Sequence, residues 1–158
     1  IPTARVVDVE RVAEDTAQIL RIRPLEKKQV ALIVSGTEST QDRLMRSFVP
    51  PVQTRIEGWG SELLEPCYVM HNENAIASAI QTFASADMIL VASISAIIDR
   101  ADIVPSAVKL AVGSITLHAV PVDPGTLLLM GYLRDVPVVG APGCCTLVIS
   151  WFLGWSRA

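Results

Sequence analysis

This chain is short of most of what would announce a function at once. Three cysteines in 158 residues, two of them adjacent (Cys144 and Cys145), make neither a disulfide framework nor a zinc-ligand spacing, and they read as thiols in a reducing cytoplasm. Aromatic residues are only 5% of the chain, and Trp59, Trp151 and Trp155 are too scattered to form a platform for stacking bases. A net charge of -3 gives no electrostatic reason to expect nucleic acid or an anionic membrane as a partner. The apolar runs at 88–92 and 146–153 fall well short of the roughly 20 residues that span a bilayer. No signal-peptide pattern opens the chain. No G-x-x-x-x-G-K, H-E-x-x-H or G-x-S-x-G occurs, which removes the commonest phosphate-loop, zinc-protease and serine-hydrolase signatures.

What is abundant is apolar side chain, 51% of the residues against 18% charged. That balance fits one compact domain with a sizeable core rather than disorder. The chain starts at Ile1 rather than Met, which points to a fragment of something longer. Residues 1–27 read as a lead-in segment or arm, with VERVAEDTAQIL (9–20) able to place Val9, Val12, Thr16 and Ile19 on one helical face.

From residue 28 the pattern alternates. QVALIVS (29–35) is a continuous β-branched run, the appearance of a strand buried on both faces. Pro50–Pro51 is expected to interrupt any helix in GTESTQDRLMRSFVPP, so a helix is predicted only from Pro51 to Gly58 or Gly60. SELLEPCYVM (61–70) reads as a second strand, with Pro66 favouring an edge. NENAIASAIQTFASA is the clearest helix, capped by Asn72 or Asn74, with Ile76, Ala79, Ile80 and Phe83 on one face. DMILVAS (87–93) is a third buried strand, and DIVPSAVKLAVG a helix with Asp102 at its N-cap and Gly113 as its stop. ITLHAVP, TLLLMGYL and VPVVGAPG add short strands. The order predicts an α/β fold, a three-layer α/β/α arrangement around a mostly parallel, doubly wound sheet.

In such a sheet, ligands bind beyond the carboxyl ends of the strands. The candidate loops are Ser35–Thr40, Ser93–Asp102, Val122–Thr126 and Ala141–Cys144, all rich in Gly, Ser, Thr or Asp. Helix N-termini behind such loops suit an anionic, phosphorylated ligand held by backbone contacts. Asp102 is either a cap on its own helix or a carboxylate that binds a metal ion or a ligand hydroxyl. Asp99 and Arg100 either pair with each other or face a phosphate, where Arg100 would act as a bidentate clamp. His118 reads as a sheet-face histidine, and His71 as an exposed residue at a helix start.

The motifs D-I-V-P-S-A (102–107), V-P-V-D-P-G-T-L-L-L-M-G (120–131) and P-V-V-G-A-P-G (137–143), in that order over 28–143, resemble the molybdopterin-binding domain. That domain is shared by molybdopterin adenylyltransferases and molybdotransferases. The variant S-A-I-I-D-R-A-D with P-V-D-P-G resembles a subgroup found within larger bacterial multidomain proteins. The resemblance implies a cytoplasmic homo-oligomer that binds molybdopterin or a molybdenum-cofactor intermediate, with Mg2+ and ATP or molybdate as further reactants. Carried over by position, Asp102 falls on the family's catalytic or metal-associated aspartate, and if the chain catalyses, Asp99 or Arg100 would assist it. It places Ser35, Gly36 and Thr37 on the first phosphate-side loop, and Ser93 and Ser95 on the glycine-rich pocket loop, with Arg100 nearby. Pro124–Gly125 and Pro142–Gly143 fall on the two supporting turns.

Three departures stand out. Ile94-Ser95-Ala96-Ile97 replaces the adenylyltransferases' G-G-T-G, so side chains are expected where a backbone should approach the ligand. A second family acid would fall near His71 or Asn72, neither of which is a carboxylate, and N-P-x-S is replaced by Cys144-Cys145-Thr146-Leu147. These point toward a non-catalytic cofactor-sensing or carrier module of a larger protein. The resemblance ends at Cys144, leaving 144–158 as a C-terminal tail.

Overall fold

The computed structural model describes residues 9–12, 25–111, 113–120 and 127–141. Its seven strands form one sheet: β1 (Gln29–Gly36), β2 (Glu62–Leu63), β3 (Cys67–Met70), β4 (Met88–Ser93), β5 (Ser114–Val120), β6 (Leu128–Leu133) and β7 (Val136–Ala141). The order across the sheet is β2–β1–β4–β7–β6–β5, with β3 also on β1. β2, β3, β1, β4 and β7 run parallel, while β6 runs antiparallel between β7 and β5. The mostly parallel α/β sheet expected from the sequence is therefore what forms.

Strand side chains alternate between two cores, as the pleat requires. Val30, Leu32, Val34, Leu90 and Ala92 face α1 (Gln41–Gly58), whose Leu44, Phe48, Val52 and Ile56 are buried against them. Ala31, Ile33, Ile89 and Val91 face the other way, toward α2 (Glu73–Thr82) and α3 (Ile103–Leu110). Three layers result, and both faces of β1 and β4 are covered. This is why those strands carry unbroken apolar runs.

Helix α1 corrects the expectation of a break at the prolines. It runs through Pro50 and Pro51, which lie inside it. An interior proline costs about 3 kcal/mol through a lost hydrogen bond and a clash. Each large apolar side chain fully buried contributes about 1.5–3 kcal/mol, and four of them repeat every fourth residue across the prolines. Packing wins. Thr54 Oγ1 donates to the Pro50 carbonyl at 2.9 Å and Arg55 Nη1 to that of Pro51 at 3.2 Å.

The single strand expected at 61–70 is two short ones on the same edge of β1. β2 pairs with Gln29 and Val30, β3 with Ile33 to Gly36, and Pro66 falls in the break between them. Proline is tolerated there because the far side of this edge makes no ladder. At the other end of the domain, β6 and β7 form a hairpin closed by Arg134 and Asp135, with Leu133 opposite Val136 and Arg134 at φ 56°. A helical turn covers 9–12, and the rest of the expected 9–20 helix lies outside the described residues.

Candidate functional site

The chain leaves β1 toward α1 on one face of the sheet and leaves β4 toward α3 on the other. Neighbouring parallel strands whose exits diverge in this way mark the topological switch point, where α/β sheets bind their ligands. At that point Ser35 of β1 and Ser93 of β4 sit opposite each other in register. They are 0% and 6% exposed, the two buried polar residues among those described. A buried hydroxyl needs a partner, and both find one in the same direction.

Ser35 Oγ lies 3.1 Å from His71 Nδ1, and Ser95 Oγ lies 2.8 Å from His71 Nε2. Ser93 Oγ donates to the carbonyl of Ser95 at 2.6 Å. The loop after β4 is therefore tied to the sheet twice: by its backbone through Ser93, and by the Ser95 side chain through the imidazole. The expectation that His71 would be exposed is corrected. Its backbone N–H donates to the Gly36 carbonyl at 2.9 Å, while Asn72 takes the capping role by accepting from Ala75 N at 2.9 Å. His71 thus lies just before the cap, folded back over the end of β1, and is half-buried. Burial holds its pKa below the ordinary histidine value, so the ring is neutral at pH 7.

Ser35 and Gly36 still belong to β1, and Thr37 opens the loop. Tyr68 OH donates to the Thr37 carbonyl at 2.6 Å, and Thr37 N donates to Thr40 Oγ1 at 3.0 Å. A Cβ on Gly36 would come within 2.5 Å of the Tyr68 hydroxyl, 2.6 Å of Leu44 and 2.7 Å of Thr40. The glycine is required by crowding on the α1 side, where its neighbours close in.

The loop 94–102 departs from expectation in two ways. Ile97 is turned into the core at 1% exposure, so close to β7 that a Cβ on Gly140 would sit 2.6 Å from its Cδ1. Ile94 and Ile98 are exposed instead. The isoleucine that replaces glycine at position 97 therefore fills the core rather than the site. Asp102 is at the N-cap position of α3, yet its carboxylate makes no hydrogen bond to that helix. Asp102 Oδ2 turns back and accepts from Ile98 N at 2.7 Å and Asp99 N at 2.8 Å. These two bonds, that from Asp99 N the larger in effect, hold its pKa below the ordinary aspartate value. Asp99 Oδ1 accepts from Ala101 N at 2.8 Å, and Arg100 is exposed. The acids at 99 and 102 thus shape their own loop.

Among the described residues, no three His, Cys, Asp or Glu side chains come together to hold a metal ion. Among those residues, a Mg2+ at Asp102 would find no ready-made cage, and such an ion commonly completes its shell with water and a ligand phosphate. Pro124, Gly125, Pro142 and Gly143 lie outside the described residues. His71 is the residue that sequence reasoning missed. Its partners are 36 and 24 positions away, and no local spacing signals them.

No family model and no curated protein matches the chain. Solved structures do. The molybdopterin biosynthesis moea protein from Pyrococcus horikosii aligns over 92% of this chain at 16% identity and a TM-score of 0.55, and this chain spans 40% of its length. Molybdenum cofactor biosynthesis protein B aligns over 78% of this chain and 84% of its own, at 12% identity and a TM-score of 0.56. The protein CinA from Thermoplasma acidophilum, of unknown function, aligns over 75% of this chain and 90% of its own, at 16% identity and a TM-score of 0.53. No helix among the described residues is long and apolar enough to cross a membrane. The resemblance read from D-I-V-P-S-A and the motifs after it is borne out in the fold: this chain has the α/β architecture of proteins of molybdenum-cofactor biosynthesis.

Proposed function

We propose that this chain binds molybdopterin, or a phosphorylated intermediate of molybdenum-cofactor synthesis, at the strand ends between β1 and β4, and that it acts there as a binding module. The observation that carries this reading is the pair of buried serines at the switch point, both committed to holding Ser95 at the surface. Two buried hydroxyls spent on positioning one exposed residue suit a loop that must meet a ligand in a fixed geometry. The fold neighbours supply the ligand class, since two of them are named for molybdopterin or molybdenum-cofactor biosynthesis.

Binding is favoured over adenylyl transfer by the state of Asp102. One carboxylate oxygen is taken by two loop amides, and among the described residues no group of three potential metal ligands forms around it. In this reading Asp102 keeps the loop in shape, and a Mg2+ arriving with a phosphate would meet only its remaining oxygen. Asp99 supports the same turn, and Arg100 is free in position to approach a phosphate from the loop's outer side.

The test is an anaerobic titration of molybdopterin fluorescence with the full chain, with and without Mg-ATP, repeated with Asp102→Ala. Saturable binding without an adenylylated product, weakened several-fold in the variant, is expected. A product that depends on ATP and disappears with Asp102→Ala would make the chain a transferase. A flat titration would remove molybdopterin as the ligand.

A further inference from the structure

The proton positions along Ser35, His71 and Ser95 decide what Ser95 can do. Ser35 is fully buried, and the imidazole Nδ1 is the partner of its hydroxyl. A hydroxyl has one proton to give, and a buried one left unspent is costly. Ser35 therefore donates to Nδ1, which must be bare. The neutral ring then carries its proton on Nε2 and donates it to Ser95 Oγ at 2.8 Å. Ser95 is exposed, and its own proton has no acceptor among the described residues. Its backbone is fixed independently by Ser93.

We propose that Ser35 locks His71 in the Nε2–H form, and that Ser95 thereby becomes a directed donor selecting a ligand that presents an anionic acceptor oxygen here. His71 and Ser95 are then specificity-determining residues of the strand-end site. The inference rests on the reading above for the ligand's identity but not for the proton positions. The opposite arrangement, with the proton on Nδ1, would strand the Ser35 hydroxyl proton in the core. It would also turn Nε2 into a base for Ser95, the geometry of an activated nucleophile. One chain of contacts thus has two readings with opposite chemistry.

Long-range proton–nitrogen spectra of the full chain with labelled histidine distinguish them, the two histidines being assigned with His71→Gln. We expect a protonated Nε2 and a bare Nδ1 at His71, and a mixture of the two forms in Ser35→Ala. Added inorganic phosphate should shift the His71 Nε2 signal saturably. The shift should survive in Ser95→Thr and vanish in Ser95→Ala. Ser95 should stay unlabelled by a fluorophosphonate. A proton on Nδ1, or labelling of Ser95, overturns the proposal in favour of a nucleophile. An Nε2–H ring that ignores phosphate overturns the acceptor subsite. None of these readouts uses molybdopterin, so failure here is separable from failure of that titration.

Discussion

Ser35 and Ser93, in register on adjacent parallel strands, secure one residue from two sides: Ser93 grips the Ser95 carbonyl directly, and Ser35 reaches the Ser95 hydroxyl through the His71 ring. The arrangement makes the order of the loop after β4 depend on groups inside the sheet. A change at the buried end should therefore be read at the exposed one.

Ser93→Ala removes the 2.6 Å bond to the Ser95 carbonyl. The orphaned carbonyl lies at the surface and can take water, so the cost should stay near the net value of one hydrogen bond, about 0.5–1.5 kcal/mol. Urea unfolding measures that loss. Hydrogen exchange should show faster opening of the amides of Ile98 and Asp99, with β1 unchanged. Equal acceleration in both would mean that Ser93 serves the sheet alone.

Acid should weaken the fold through His71. Burial lowers its folded pKa, so the neutral ring is favoured in the folded state. The associated stability is complete above the unfolded value, about 6.5, and is lost as pH falls through the folded pKa. Between about pH 7.5 and pH 5, the urea midpoint of the native chain is expected to drop more than that of His71→Gln, which cannot titrate. Parallel curves would show that the ring does not sense its burial.

Asp102 acts in a lower window. Its folded pKa lies below the ordinary value because two amides stabilise the carboxylate. Its contribution is therefore present above about pH 3.9 and disappears as pH falls through the folded value. The stability difference between the native chain and Asp102→Ala should be flat near neutrality and shrink only in that acid range. Measuring both pH series on the same protein separates the two groups.

Pro50→Ala should stabilise the protein. Pro50 is exposed and lies in the interior of α1, where alanine restores an amide donor and removes the ring's clash. Greater freedom of the unfolded chain offsets roughly 0.4–1 kcal/mol of the gain. A net increase on the order of 1 kcal/mol or more is expected from thermal or urea unfolding. A loss of stability would mean that the proline ring itself is packed.

The parts of the fold that were legible are those where one physical cause acts alone. β1 and β4 are buried on both faces, and QVALIVS and MILVAS show it directly. α2 was legible because Asn72 and the Ile76–Ile80 face agree. α1 was misjudged because two causes conflict in the same residues. The prolines argue for a break, and the repeat Leu44, Phe48, Val52, Ile56 for continuity. The magnitude of burial decides that contest, and a sequence window does not display it. The site divides the same way. The positions of Ser35 and Ser93 at the ends of β1 and β4 were legible because strand ends are predictable. The true direction of Asp102 depended on which amides the loop would offer. His71 depended on three distant segments meeting.

β7 occupies the side of β4 that β1 does not, pairing Ile89 to Ala92 with Val138 to Ala141. Until that hairpin arrives, β4 is an unblunted apolar edge in a nascent chain, of the kind that recruits other copies in place of its own partner. β7 thus covers an edge on which a nascent chain would associate, and a truncation before Val136 should precipitate even though Ser35, His71, Ser93 and Ser95 are all present.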